Sequence, residues 1–355
     1  MNIKTLFLEL VKIPSPSGQE GVVREFVQDF LAQNNIQSEI VKGNLVARVP
    51  GSNLKIMLVA HLDTVQKVGE IVNPVVTDDI IKSDGKTILG ADNKAGVAIL
   101  LKVAEEIITI EKHPDIYLVF TANEEAGRMT ALDLPLKEMK IDLVLNVDGG
   151  KPPGTIDVEA LGQEVFEIEV LGKAAHAATE PEKGKNALIA AINIVNMLKI
   201  GKETKGDTLN IGKLLCDGAT NVVPNKAIIK GEVRSFTNSG IQKALVNIKK
   251  SCVIASKLGV EINFKVLEGV GVPVWEKAKI NKWKEIISKA ALKCGLKFKE
   301  EKMFACSDAN ALAKSGVPTF SINRGGKNPH SHEELITTEE MEDTIQFIKV
   351  ILEQV

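Results

Sequence analysis

In residues 58 to 65, LVAHLDTV, an apolar run ends on His61 and, two residues later, Asp63. Imidazole and carboxylate are costly to bury unless something pairs with them. Alone, the pair has an ordinary explanation: a satisfied core histidine followed by a turn. The same ending recurs along the chain, however. YLVFTAN runs into Glu124 and Glu125, LVLNV into Asp148 with Gly149 and Gly150 behind it, and INRGGKNPHSHEE delivers His330 and His332. LGADNKAG sets Asp92 between glycines just before a helical stretch. Singly, Asp92 reads as a helix N-cap and the two glutamates as a solvated face. In an open parallel sheet, sites form at the carboxyl ends of strands, so these groups gather on one edge. So many uncompensated carboxylates would repel one another. A divalent cation, or two, resolves that repulsion. Imidazole and carboxylate ligands suit Zn2+, with Co2+ or Mn2+ as replacements. Two ions sharing a bridging carboxylate lie roughly 3.5–4 Å apart, and this dinuclear arrangement is the one favoured here.

The elements that must position these residues follow from hydrophobic spacing. NLVARV, LKIMLVA, DIYLVFTA and IDLVLNV read as strands, and NKAGVAILLKVAEEIITI as a helix between them. Near-continuous apolar strands alternating with helices indicate an α/β domain, a mainly parallel sheet flanked by helices. From about Glu164 the grammar changes. VFEIEVLGK alternates as a half-buried strand, NALIAAINIVNMLKI is helical, and TLNIGKLLCDG and AIIKGEVRSF are adjacent strands. GIQKALVNIKKSCVIASKLG is a helix and VEINFKVLEG a strand. Strand, helix, strand, strand, helix, strand is the ferredoxin-like order. Afterwards α/β alternation resumes with INKWKEIISKAALKCG, KFKEEKMF, DANALAKSG, PTFSIN and a final helix. The boundaries expected are 1–163 and 269–355 for a discontinuous α/β domain, and 164–268 for a ferredoxin-like α+β insertion.

Composition narrows the function classes. At 355 residues the chain exceeds the usual size of one core, so two domains are expected. A net charge of -2 offers no field for nucleic acid or an acidic membrane. Aromatics at 4% make base-stacking platforms improbable. The cysteines, Cys216, Cys252, Cys294 and Cys306, show no CxxC spacing and fit reduced thiols in a cytoplasmic protein. The amino-terminal apolar stretch carries Glu9 and Lys12 and meets Pro14, an amphipathic helix and not a signal peptide. No run of about 18 apolar residues suggests a membrane span.

The blocks HLDT, GADNKAG, NEEAG, NVDGG and HSHEE, in that order, resemble the signatures of the co-catalytic zinc peptidase family. That family includes peptidase T, carboxypeptidase G, aminoacylase and succinyl-diaminopimelate desuccinylase. The resemblance covers nearly the whole chain, and GADNKAG with VDGG looks closest to peptidase T. It implies a zinc-exopeptidase fold whose insertion is a lid and dimerisation domain. It also implies that His61 and Asp148 bind one metal, Glu125 and His330 the other, and that Asp92 bridges them. Asp63 would hold the His61 imidazole in its metal-binding tautomer, and Glu124 would be the general base. His330 is preferred over His332 because Glu334 follows it by four residues, as in the family; His332 is left to the rim or surface. In the insertion, the resemblance implies that His176 binds the substrate carbonyl, often across a dimer interface, and that Arg234 binds a substrate carboxylate, with Asn221 joining them. Without it they read as a loop histidine and a strand arginine. The chain departs from the family at Asn93, where many relatives carry a second Asp; the resemblance implies a cis peptide before this residue.

The expected reaction is hydrolysis of peptide bonds in short peptides by an aminopeptidase of the tripeptidase kind, with Glu124 taking a proton from water acidified by two divalent metals. A homodimer through the insertion is expected, and no nucleic-acid or membrane partner. N-acyl amino-acid deacylation or desuccinylation would use the same metal site. A catalytically silent assembly protein is the reading from another class, and the intact Glu124 argues against it.

Overall fold

The computed structural model describes residues 1–127, 129–203, 206–277 and 281–355, so Ile280, the first residue of one expected helix, lies outside the described residues. The chain divides into two compact units, Met1–Glu159 with Lys277–Met303 and Ser307–Val355, and Ala160–Glu276 with Phe304–Cys306.

The first unit is built on an eight-stranded sheet. At its centre Ser52–His61 runs parallel to both Pro114–Thr121 and Leu143–Val147, and Thr319–Ile322 runs parallel to Leu143–Val147. Towards the edges the pairing turns antiparallel: Asn44–Val49 lies against Pro114–Thr121, Ser38–Val41 against Asn44–Val49, and Thr155–Ala160 against Thr319–Ile322. The sheet is therefore mixed, with a parallel centre. Its central strands are buried on both faces, which is why IMLVA and LVLNV are apolar without alternation.

Helices cover the sheet. Ile3–Lys12 buries Ile3, Leu6, Phe7, Leu10 and Val11, one stripe at helical spacing. Thr338–Glu353 opens on a capping box in which Thr337 and Glu340 satisfy each other's backbone N–H groups. Ala91–Ile107 is deeply buried, with Ala95, Gly96 and Ala98 at its start. Gly96 is required there: a Cβ would stand 2.5 Å from the Val147 carbonyl oxygen and 2.3 Å from Asn93 Oδ1. That close approach brings Asp92 to the strand that ends on Val147. A small three-stranded sheet, Val75–Thr77, Ile80–Lys82 and Leu335–Thr337, was not expected from the sequence. Its strands are three residues long, too short for a periodic signal.

The second unit is a five-stranded antiparallel sheet in the order Gly201–Lys202, Thr208–Leu215, Lys226–Ser235, Gly162–Leu171, Glu261–Val266. Ala187–Met197 and Asn238–Ser256 pack on it around Phe166, Ile168, Ala190, Ile229 and Ile248. The element order is the ferredoxin-like one, with Gly201–Lys202 added at one edge. The unit extends beyond the 164–268 drawn from sequence because the backbones of Gln163 and Val272 exchange hydrogen bonds and Ala160 donates to Trp275. Phe304 also joins it, edge-on to Phe236 at 5.2 Å.

Leu58 is fully buried in the strand that ends on His61. Leu58→Ala should cost about 2–5 kcal/mol of unfolding free energy, read from urea denaturation. Val22→Ala, at a residue 61% exposed, should stay within about 0.5 kcal/mol.

Candidate metal centre

The residues that end the central strands meet in the first unit. His61, Asp92 and Glu125 each offer a ligand atom, and these atoms lie within 4.8 Å of one another. Asp92 stands between two imidazoles: its Oδ1 is 3.4 Å from His61 Nε2 and its Oδ2 is 3.4 Å from His330 Nε2. His330 Nε2 also lies 2.8 Å from Glu125 Oε1. One carboxylate with an imidazole on each oxygen is the donor arrangement a bridging ligand needs, so these residues fit a pair of divalent cations. Asp148 is buried with its Oδ1 accepting from the Gly149 N–H at 2.6 Å. The peptide between Asp92 and Asn93 is cis.

The charges show what the crowding costs. Burial pushes the Glu124 carboxyl well above the usual carboxylate range; His61 opposes this, and Asp308, Asp148 and Glu125 add to it. Burial, with the charge of Asp92 next, raises Asp148 to about 6. For Asp92, burial is outweighed by Arg324 and by hydrogen bonds with His330 and His61, and the carboxyl falls well below its ordinary range. His61 is fully buried, yet Asp63, Asp92 and Glu124 hold its pKa well above the usual value.

Asp63 does more than orient a ring. The His61 Nδ1 hydrogen bond, at 3.0 Å, goes to the Asp63 carbonyl oxygen, while the nearer carboxylate oxygen is 3.5 Å away. With Nδ1 so engaged, Nε2 is the nitrogen that faces Asp92 and, once it gives up its proton, the one left to take a metal. The Asp63 carboxylate instead accepts the Glu124 N–H at 3.1 Å, the Glu125 N–H at 3.0 Å and the Ser17 hydroxyl at 2.6 Å. It therefore pins the turn that carries Glu124 and Glu125. Glu20 supports the same turn, its Oε1 accepting from the Asn123 N–H at 3.1 Å.

Sequence inspection missed several of these supports. Glu334 is buried and takes the N–H groups of Leu89, Gly90 and Asp92 at 2.9, 2.8 and 3.0 Å, fixing the loop before the helix. Arg324 donates to Asp92 and Asn93. Lys94 is buried and its Nζ has no hydrogen-bond partner among the described residues; burial pulls it to about 7 against the charges of Asp63 and Glu20. Asp308 is buried, accepts the Thr121 hydroxyl, and is pushed up to about 7, first by burial. The only signal available was a charged residue within or beside an apolar run, as in GADNKAG and TFSINRGG.

The remaining candidates fall elsewhere. His332 is exposed. His176, Asn221 and Arg234 belong to the second unit. His176 is exposed, and its Nδ1 accepts the N–H groups of Ala178 and Thr179, both at 3.2 Å. Asn221 is exposed and its carbonyl oxygen accepts from the Ala177 N–H at 2.9 Å. Arg234 is already engaged: Nε and Nη2 donate to Glu232 at 2.9 and 3.3 Å.

Fold and site together define a metal-dependent hydrolase. The family model described as Peptidase family M20/M25/M40 matches residues 57–354, and the chain belongs to that family. It is a metallopeptidase, similar to peptidase T. A Bacillus subtilis (strain 168) relative, the uncharacterized protein YqjE, is 30% identical over 366 residues, covering 98% of this chain and 96% of the relative. Peptidase T of Streptococcus pyogenes serotype M2 (strain MGAS10270) is 24% identical over 404 residues, covering 98% and 97%. Among solved structures, a tripeptidase from Staphylococcus aureus subsp. aureus Mu50 superposes with a TM-score of 0.91 at 27% identity, covering 99% of this chain and 97% of that one. Aminopeptidase PepT from Bacillus cereus ATCC 10987 gives 0.89 at 27%, covering 99% and 98%. Among the described residues, no helix is long and apolar enough to cross a membrane.

The metal-free protein should show a pH signature. Hydrogen bonds with Asp92 and Glu125 raise the His330 ring to about 10, from an ordinary 6.5. A raised folded pKa adds stability that is full below the unfolded value and disappears as pH climbs through the folded one. The melting temperature should therefore fall between about pH 7 and pH 10, and His330→Ala should flatten that slope. Equal slopes in both proteins would remove His330 from this role.

Proposed function

We propose that the chain is an aminopeptidase that releases residues from short peptides, tripeptides above all. Glu124 carries this reading. It is a buried carboxyl whose backbone N–H is held by Asp63 and whose charge faces His61, Asp308, Asp148 and Glu125, and burial pushes it well above the usual carboxylate range, the direction a proton acceptor needs. The metal ligands would be His61, Asp92, Glu125, Asp148 and His330, with Asp92 as the bridge. Zn2+ is the proposed ion, Co2+ and Mn2+ the alternatives. Divalent ions held there would polarise the scissile carbonyl and acidify an attacking water.

The protein's own residues do the rest. Glu124 takes the water's proton as the oxygen attacks the carbonyl carbon, and returns it to the leaving amine when the C–N bond breaks. Asp63 keeps that carboxylate in place by gripping the Glu124 N–H. In the second unit, His176 Nδ1 accepts two backbone N–H groups, which leaves Nε2 as the nitrogen to donate to an oxyanion. Asn221 and Arg234 are proposed to bind the substrate as well, Arg234 while already paired with Glu232. The second unit is proposed as the lid and dimerisation domain; Val246, Val253 and Ile254 on its longer helix are 46, 66 and 53% exposed, which supports a second copy as partner. The well-separated cysteines and the family resemblance support a cytoplasmic protein.

The test is a panel of di-, tri- and tetrapeptides and N-acyl amino acids offered to metal-loaded protein. Release of the amino-terminal residue from tripeptides is expected. Hydrolysis confined to acyl amino acids would replace this reading with a deacylase. Glu124→Gln should remove nearly all turnover and keep the metal, whereas Glu125→Gln should lose metal. The opposite pattern would exchange the two roles.

A further inference from the structure

Arg324 follows the strand Thr319–Ile322, and only 3% of its side chain is exposed. Its guanidinium grips both side chains that flank one peptide bond. Nη2 donates to Asp92 Oδ1 at 2.9 Å and Nε to Asn93 Oδ1 at 2.8 Å. Nη1 donates to the Gly325 carbonyl at 3.0 Å, and the Arg324 backbone N–H to Gly149 at 3.1 Å, one residue beyond Asp148. A guanidinium cannot shed its charge, so its burial requires these acceptors.

Asn93 is the matching half. Its Nδ2 donates to the Val147 carbonyl at 2.9 Å, while its Oδ1 takes Arg324 Nε and, at 3.1 Å, the Gly96 N–H. An aspartate could supply the acceptor, but its second oxygen would face the Val147 carbonyl without a proton between them. The amide serves both sides, a physical reason for Asn where the family resemblance points to Asp.

We propose that Arg324 is a positioning residue that orients Asp92 as the bridge of the metal pair, with Asn93 as the amide that seats the guanidinium; this rests on the metal-centre reading above. Each oxygen of a carboxylate offers two lone-pair directions. Arg324 takes one at Oδ1, leaving the second and all of Oδ2 on the side of His61 and His330. The contact costs nothing to the site's capacity and fixes the rotation of the carboxylate. Two cations near one carboxylate could instead compete, with Arg324 weakening metal binding. The alternatives predict opposite signs.

The experiment titrates Co2+ into metal-free protein, following affinity by competition with a chromophoric chelator and geometry by visible absorption. Circular dichroism checks the fold of each variant. Arg324→Lys keeps the charge but cannot span both acceptors; Arg324→Met removes both. If Arg324 positions Asp92, both variants bind Co2+ about 10–100-fold more weakly, the scale for lost support of a ligand, and the absorption bands shift. Asn93→Ala, which spares the contact with Asp92, should weaken binding by less and covers the case in which the arginine variants do not fold. Tighter binding by Arg324→Met with unchanged binding by Arg324→Lys would overturn positioning in favour of competition. Unchanged affinity and spectrum in all three variants would overturn the role of Arg324 alone. Wild-type protein that takes up no Co2+ would overturn the metal centre, and this proposal with it.

Discussion

The repulsion among carboxylates at one sheet edge is the constraint to which the rest of the first unit answers. Asp63, Asp92, Glu124, Asp148 and Asp308 are drawn from separate elements into a region from which water is largely excluded. Burial first, and the charges of neighbouring carboxylates after it, raise the carboxyls of Glu124, Asp148 and Asp308. A fold can carry such a cluster only if each carboxylate is held by donors or by a cation.

The structure uses several kinds of holder, the hydroxyls of Ser17 on Asp63 and of Thr121 on Asp308 among them. Backbone N–H groups serve Asp63 and Glu334, which in turn fix the loops around them. Imidazoles serve Asp92 and Glu125. One buried guanidinium serves Asp92. Glu124 has its backbone secured through Asp63, while its carboxyl sits among like charges. This separation of a pinned backbone from a destabilised carboxylate is what a proton acceptor requires. The same geometry separates the adjacent glutamates, with Glu125 against His330 and Glu124 facing the buried acids.

Much of this was legible in the sequence. Apolar runs ending on His61, Glu124 and Asp148 marked both the central strands and the edge where their polar ends meet, because a strand buried on both faces admits no alternation. The change from continuous to alternating strands after Glu164 marked the second unit. The antiparallel edges of the first sheet were less visible, since strand direction depends on connections and pairing partners that hydrophobic spacing does not record.

The sequence by itself therefore determined which imidazoles and carboxylates stand at the strand ends as candidate ligands and which elements carry them. Only the tertiary structure decided what supports them. Glu334 reaches Leu89 and Arg324 reaches Asp92 across more than two hundred residues, and Ser17 and Glu20 reach the turns after distant strands. Nor could spacing show that Asp63 gives its carbonyl to His61 and its carboxylate to the Glu124 turn. A local pattern reports the period of burial along one element. Hydrogen bonds between elements depend on side-chain direction and on which strands become neighbours, and these exist only once the chain has packed.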